Sequence, residues 1–219
     1  MKEPARVKLL GHRLEQFPVD EWMSARYLGF LSAAITLADE GLVEQTIKRG
    51  LDLSISRSQI YEVILQSYLF LGFPRMLIAA ECLNRVSPSL HADEKIASPD
   101  LSEVDDWYSR GELLCKRVYG ESFDRLRDRV SAMAPEVFRW MILEGYGKVL
   151  SRPGLPAIER EACIVACLVM ENRPAQLRSH MMGMVNVGAD LALLKRLTED
   201  LSEAAPDGYQ TSREIFKLL

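Results

Sequence analysis

Residues 162 to 170, ACIVACLVM, are apolar without a break. A helix at a protein surface carries one apolar stripe and one polar face, so this run predicts a helix that is buried nearly all round. Asn172 and Pro174 indicate a turn after the run, and Pro174 suits the first turn of a second helix that ends near Gly188. We therefore expect a buried helical hairpin at the centre of the fold.

The rest of the chain also favours helices, because apolar residues recur at helical spacing and strand-like alternation is absent from the sequence. The sequence predicts an all-α fold with an N-terminal helical extension at 1–19, a first helical unit at 20–86 and a second at 102–219. Residues 87–101 hold prolines and serines and few large apolar residues, which predicts a linker.

Composition narrows the classes of function. The formal net charge of −4 argues against sequence-independent binding of nucleic acid, which needs a basic surface. No apolar run reaches the length of a membrane span, and the N-terminus is too charged for a secretion signal. The four cysteines are few for 219 residues, so we expect reduced thiols and a cytoplasmic protein. No phosphate-binding loop or metal motif occurs, so we expect neither a cofactor nor a metal.

The two predicted units resemble each other. A shift of 134 positions places Arg26-Tyr27 on Arg160-Glu161 and Thr46 on His180, and apolar positions coincide between these points. This pattern predicts a duplicated helical unit. Only the second copy carries an acid and a histidine, so we expect one copy to hold a site and the other to serve as scaffold.

The run GYGKVLSRPGLPAIEREACIVACLVMENRPAQLRSHMMGMVNVGAD resembles the core of the carboxymuconolactone decarboxylase family, which includes the AhpD-like alkylhydroperoxidases. The matching pattern is an Arg-Glu pair opening a buried helix (Arg160-Glu161), a histidine on the next helix (His180) and a glycine at the following turn (Gly188). The resemblance implies an AhpD-like helical bundle, here with two repeated units, which assembles into trimers or hexamers. It also implies that Glu161 and His180 share a proton network.

One departure from the family pattern separates this chain from the peroxidase branch. That branch has a redox Cys-x-x-Cys whose cysteines fall seven and four residues before the histidine, where this sequence has Arg173 and Gln176. Cys163 and Cys167 do not replace it. Neighbours four apart on a helix have Cβ atoms about 6 Å apart, whereas a disulfide needs about 3.8 Å. We expect both to be inert core residues.

The candidate catalytic residues are His180 as proton donor and Glu161 as the group that tunes it, because imidazole titrates nearest to neutrality. In a strictly antiparallel hairpin, at about 1.5 Å per residue, their heights differ by roughly 8 Å. A tilted crossing of the helices or a bridging water would close this gap. Because the resemblance implies a shared proton network, we expect a link through a water or a substrate atom. The alternative is that Glu161 is an acid in the first turn that the helix dipole stabilises, and that His180 is a satisfied polar residue at a helix interface. We expect Arg160 and Glu159 to be solvated surface residues.

The candidate substrate-binding residues are less sharply defined. Arg173 and Gln176 are placed to meet a carboxylate, although arginines on loops are more often solvated. Trp140 and Tyr146 are candidates for a pocket wall, although aromatic residues at helical spacing are more often core. The remaining histidines, His12 and His91, lie in charged stretches without an evident role.

Three functions remain open. The first is a cofactor-independent lyase or related acid–base enzyme acting on a small anionic organic acid or lactone. The second is a non-catalytic oligomeric family member, and the third is a peroxidase-type antioxidant that uses Cys163 or Cys167. We also expect a homo-oligomer, because a chain of this size should not surround several all-apolar helices by itself. We expect no nucleic-acid or membrane partner.

Overall fold

The computed structural model describes residues 2–88 and 102–219. Within these ranges the chain is helical and has no strand, which confirms the all-α prediction. His91 and most of the predicted linker 87–101 lie outside the described residues. The helices are α1 (Glu3–Glu15), α2 (Met23–Leu37), α3 (Glu40–Asp52), α4 (Arg57–Val86), α5 (Glu103–Tyr119), α6 (Phe123–Met133), α7 (Pro135–Trp140), a π-helix (Met141–Leu150), α8 (Ala157–Glu171), α9 (Pro174–Asn186), α10 (Leu191–Glu199) and α11 (Pro206–Phe216).

Local sequence accounts for several helix boundaries. Ser56 caps α4 by accepting a hydrogen bond from the backbone N–H of Gln59, whose side chain bonds back to Ser56 in a capping box. The same helix is interrupted at Gly72, where φ is +77° and ψ is 165°. Glycine reaches this conformation without a steric penalty, and Pro74 follows it. Gly72 and Pro74 therefore divide α4 into two helical segments.

The chain forms two compact units. The first consists of Met1–Pro88 and Gly154–Leu219, and the second of Ser89–Pro153. The first unit holds α1–α4 and α8–α11, and the second holds α5–α7 and the π-helix. This division follows contacts in space, whereas the predicted units follow repeated sequence, so the duplication stays a prediction.

The core of the first unit is the contact between α2 and α8. Every residue from Ala25 to Leu37 and from Arg160 to Met170 is buried, as the apolar run at 162–170 predicted. Close approach occurs at Gly29, where a Cβ atom would lie 3.2 Å from the backbone oxygen of Ala162. A single copy of the chain thus surrounds two helices on all faces. The premise from which the sequence predicted an oligomer is therefore wrong, although oligomerisation itself stays a prediction.

In the second unit, residues 135–150 do not form one continuous α-helix, because the second part of this segment is π-helical. Gly145 and Gly147 lower the preference of this segment for the α-helix. The segment also lies very close to α5. A Cβ atom on Gly111 would lie 2.1 Å from the oxygen of Ile142, and one on Gly147 would lie 2.0 Å from the oxygen of Trp107. Gly111 and Gly147 therefore allow the backbones of α5 and the π-helix to come into contact.

One described helix, α4, is long and apolar enough by length and composition to cross a membrane, with a mean hydropathy of 1.5 over its most apolar window. Core helices of soluble proteins pass the same test, and the break at Gly72 interrupts this one. The helix is therefore weak support for a membrane span, and the absence of a membrane partner stays a prediction.

Candidate acid–base site

Glu161 and His180 are in direct contact. Nδ1 of His180 lies 2.9 Å from Oε2 of Glu161, and the two residues are 6% and 2% exposed. The expectation of an indirect link through a water or a substrate atom is therefore wrong. The estimate of about 8 Å between the two heights assumed that α8 and α9 are strictly antiparallel. It also did not include the length of the two side chains. Neither the crossing of helices nor side-chain reach can be read from the sequence alone.

The turn between α8 and α9 sets up this contact. Asn172 ends α8 in the left-handed conformation, with φ 47° and ψ 65°, which asparagine tolerates better than most residues. Pro174 then opens α9, where its missing N–H costs no hydrogen bond. Leu177, Met181 and Met184 are buried on the same face of α9 as His180. Apolar packing therefore holds the imidazole inside the protein.

The hydrogen bond fixes which imidazole nitrogen can accept a proton. An ionised Glu161 has only acceptor oxygens, so Nδ1 must carry the hydrogen of the bond. In the neutral imidazole Nε2 is then the basic nitrogen. When Nε2 takes a proton, the adjacent carboxylate stabilises the positive charge of the ring. The pair can therefore accept and return one proton at Nε2.

Arg160 is buried, so its prediction as a solvated surface residue is wrong. It is 2% exposed, and its Nη2 lies 2.9 Å from Oε2 of Glu62, which is 4% exposed. Its Nη1 donates to Oε1 of Gln66 at 3.1 Å, and Nε2 of Gln66 donates to the backbone oxygen of Arg160 at 3.2 Å. Two polar residues four apart on the otherwise apolar part of α4 are the sequence signal for this contact.

Glu159 is also not a solvated surface residue. It is half-buried, and its Oε1 accepts a hydrogen bond from Oγ of Ser24 at 2.7 Å. Its Oε2 is buried without a hydrogen-bond partner. The first turn of α8 is thus fixed on one side by α2 and on the other by α4.

An aromatic residue that the sequence did not single out contacts the histidine. The rings of Phe70 and His180 lie 5.6 Å apart, with an angle of 87° between their planes. This edge-to-face arrangement is a favourable geometry for two rings. Phe70 therefore covers one side of the imidazole.

Of the other predicted site residues, Arg173 and Gln176 belong to the first unit and lie at its surface. Arg173 is 62% exposed at its side chain and bonds Glu171 at 3.3 Å, and Gln176 is exposed. Trp140 and Tyr146 belong to the second compact unit. Trp140 is 58% exposed, whereas Tyr146 is buried with its ring 6.3 Å from that of Tyr119.

The two thiols of α8 are poorly suited to redox chemistry. Burial raises the pKa of Cys163 well above its usual value and raises the pKa of Cys167 to about 11. The Sγ of Cys167 also lies 2.9 Å from Oγ of Ser32 in the core. A thiol needs an accessible thiolate to react, so these cysteines behave as small core residues. Within residues 2–88 and 102–219, no cluster of three or more His, Cys, Asp or Glu side chains could hold a metal.

The positions equivalent to the site under the offset of 134 are also in contact. Tyr27 and Thr46 replace Glu161 and His180 there, and Oη of Tyr27 donates to the backbone oxygen of Thr46 at 2.7 Å. Both residues are buried. A structural hydrogen bond thus occupies the place of the acid–base pair.

The hydrogen bonds of the two buried arginines, Arg26 and Arg160, follow the same offset. Arg26 donates two hydrogen bonds to Asp200, from Nε at 2.9 Å and from Nη2 at 2.7 Å. Adding 134 to Arg26 gives Arg160, and subtracting 134 from Asp200 gives Gln66, which also bond each other. The contacts are therefore reciprocal between the two halves of the first unit, which supports the predicted duplication.

Comparison with known proteins is sparse. No family model matches the chain. The chain is similar to Peroxisomal protein 2 of Schizosaccharomyces pombe (strain 972 / ATCC 24843), with 26% identity over 132 residues. The match covers 60% of this chain and 61% of the relative, so it spans less than two thirds of the relative's length.

Proposed function

We propose that this protein is a cofactor-independent acid–base enzyme of the lyase type, which acts on a small anionic organic acid or lactone. The observation that carries the proposal is the buried contact of 2.9 Å between His180 and Glu161. A buried imidazole held by a carboxylate is an arrangement that suits general acid–base chemistry. The imidazole is the catalytic group, and the carboxylate orients it and stabilises its charged form.

The proposed reaction needs one proton. The bond between the carboxylate carbon and its neighbour breaks, CO₂ leaves, and the electron pair stays on the substrate as an enolate. Nε2 of protonated His180 gives a proton to the substrate carbon, and solvent then returns a proton to His180. The overall change is loss of CO₂ and gain of one proton by the substrate. The reaction requires no oxidant, because no electron enters or leaves.

The resemblance to the carboxymuconolactone decarboxylase family supports this proposal, because that pattern supplied both residues of the pair. The name of the relative states a compartment and no reaction. We therefore carry the peroxisome over to this chain as a candidate compartment beside the cytoplasm. A fluorescent fusion, imaged with a peroxisomal marker, distinguishes the two.

The substrate contacts are proposed with less support from geometry. Arg173 is exposed and already bonds Glu171, so it would meet an anion only as an outer contact that exchanges partners. We keep Gln176, Trp140 and Tyr146 as proposed substrate contacts on the sequence argument alone. A structure with a bound organic acid would test all four.

Two other functions are weighed against this one. A non-catalytic oligomeric module would need the same fold but no reaction at His180. An antioxidant of the alkylhydroperoxidase type would need a reactive thiol, and the burial of Cys163 and Cys167 argues against it.

The test uses the full-length protein, with carboxymuconolactone and a panel of small lactone acids in D₂O. Proton NMR follows both loss of the carboxylate and deuterium incorporation at the neighbouring carbon. We expect His180→Gln to lower the rate about 10²- to 10⁴-fold, and Glu161→Gln to lower it less. The matched control is Tyr27→Phe, which removes a buried hydrogen bond at the equivalent positions and should leave the rate unchanged. Full turnover in His180→Gln would contradict the proposal, and no reaction with any acid would favour the non-catalytic module.

A further inference from the structure

We propose that Gln66 and Phe70, both on α4, are positioning residues that keep Glu161 and His180 in the orientation in which they bond each other. Together with Glu62 they form a row that we call the α4 stripe (Glu62, Gln66 and Phe70). The inference rests on the proposed function for its catalytic consequence. Its structural content, the orientation of His180, can be measured without any substrate.

The spacing of the α4 stripe places its residues on one face of the helix. Positions 62, 66 and 70 are successive steps of four, and residues four apart are neighbours on a helix surface. The first two contact Arg160, and the third contacts His180. One face of α4 therefore touches both α8 and α9 at the acid–base pair.

Gln66 acts on Glu161 through the backbone. Its amide donates to the backbone oxygen of Arg160, the residue directly before Glu161, and its amide oxygen accepts from the guanidinium of the same arginine. These two hydrogen bonds run in opposite directions, and they fix the position of Arg160 along α8 and the face of α8 that it presents to α4. The carboxylate of Glu161 is thereby placed where it meets the imidazole.

Phe70 acts on His180 through its ring. The angle of 87° between the ring planes places one ring edge against the face of the other. Rotation of the imidazole about its Cβ–Cγ bond would lose both this ring contact and the hydrogen bond to Glu161. Phe70 therefore favours the orientation in which Nδ1 faces Glu161 and Nε2 is the basic nitrogen.

The other half of the first unit shows which part of this arrangement is specific to the site. There Asp200 accepts hydrogen bonds from the guanidinium of Arg26, as the amide oxygen of Gln66 accepts from that of Arg160, so a buried acceptor for the arginine occurs in both halves. The amide of Gln66 also donates to the backbone oxygen of Arg160, which the carboxylate of Asp200 cannot do for Arg26. With the same offset Phe70 falls on Ala204, which has no ring, just as His180 falls on Thr46. The aromatic contact is thus found where the histidine is found, whereas a buried acceptor for the arginine is shared by both halves.

The experiment measures the tautomer of His180 in the full-length protein labelled with ¹⁵N-histidine, at a pH where the ring is neutral. The signal is assigned with His180→Gln, since the chain has three histidines. We expect a single tautomer with the hydrogen on Nδ1 in the unaltered protein. Phe70→Leu and Gln66→Met should give a mixture of both tautomers, and Phe70→Tyr should restore the single form because it keeps the ring. Tyr27→Phe is the control and should keep the single form as well.

The kinetic readout separates positioning from general loss of structure. We expect Phe70→Leu to lower kcat about 10- to 100-fold with little change in KM, as expected for a misplaced catalytic group. Circular dichroism and Tm confirm that each variant is folded, and Phe70→Met replaces Phe70→Leu if the latter does not fold. A single Nδ1 tautomer retained in both Phe70→Leu and Gln66→Met would overturn the inference. A tautomer that responds to these changes in a protein without turnover would support the inference and contradict the proposed function.

Discussion

The guanidinium of Arg160 lies 2.9 Å from the carboxylate of Glu62, and the two side chains are 3% and 5% exposed. The pair joins positions 98 residues apart in the chain, on α8 and α4. A buried ion pair adds little over an apolar pair of the same volume, but removal of one partner leaves an unpaired buried charge. The contact is therefore a sensitive point of the first unit.

We expect Glu62→Ala to lower the free energy of unfolding by about 3–5 kcal/mol, because it leaves the Arg160 charge buried without its carboxylate. The matched control is Glu214→Ala, which removes an exposed ion pair with Lys217. The control should leave the free energy of unfolding nearly unchanged, because an exposed ion pair contributes little to stability. Urea unfolding followed by circular dichroism measures both. A loss in Glu62→Ala no larger than in the control would contradict the assignment.

The contact of Gly111 with the π-helix leads to a second stability prediction. A Cβ atom at this position would lie 2.1 Å from the oxygen of Ile142, so Gly111→Ala must push two backbones apart. We expect a loss of several kcal/mol in the second unit, at the upper end of single-residue effects. Local hydrogen exchange of residues 103–119 would report the loss.

Gly11 provides the control, because a Cβ atom there would meet nothing within 4 Å and the residue lies inside α1. Alanine is the better helix former, so we expect Gly11→Ala to raise stability by about 0.5–1 kcal/mol. A gain of stability in both variants alike would show that helix preference, and not the close approach, determines the result.

The sequence was informative where the signal is local. The buried run of α8 was predicted from a few neighbouring residues, and the capping box at Ser56 and the break at Gly72 arise from signals that are equally local. The acid and the histidine of the site were also identified, because a motif carries both. Each of these features depends on backbone preference or on periodicity, which the sequence contains directly.

The sequence was uninformative where the structure depends on distant partners. Arg160 belongs by type to the surface, and only Glu62 and Gln66, in another helix, make its burial favourable. The direct contact of Glu161 with His180 depends on how two helices cross. The π-helix at Met141–Leu150 depends on close approach to Gly111. None of these relationships is encoded within one segment, so reasoning from residue type and spacing misses them.

Exposed apolar residues keep the predicted homo-oligomer open to test. In the second unit Met133 is 72% exposed, and Trp140 is 58% exposed. We expect sizing with light scattering to give a trimer or hexamer of the 24.8 kDa chain. Met133→Lys with Trp140→Lys should shift the mass towards the monomer. Leu218→Lys, at a residue of the first unit with 60% exposure, is the control and should not. A monomer in the unaltered protein would contradict the prediction.

The thiols of α8 should resist alkylation in the folded protein. Burial raises the pKa of Cys167 from 9.0 to about 11 and raises the pKa of Cys163 well above its usual value, and both side chains are enclosed by the core. We expect iodoacetamide at pH 8 to modify neither residue in the native protein and both in urea, as measured by mass spectrometry of peptides. Rapid native labelling of Cys163 or Cys167 would instead favour the antioxidant function.

The same raised pKa values predict loss of stability at alkaline pH. The folded state keeps the proton on Cys167 up to a pKa of about 11, whereas the unfolded thiol ionises near 9.0. Above pH 9 the unfolded state therefore binds fewer protons than the folded state, and the free energy of unfolding falls as pH rises. Tyr27 adds to this fall above pH 10, because burial raises the pKa of its phenol as well. We expect Tm to decrease between pH 9 and 11, and less steeply in Cys167→Ala. A Tm that stays constant over this range in the unaltered protein would show that the two groups titrate alike in the folded and unfolded states.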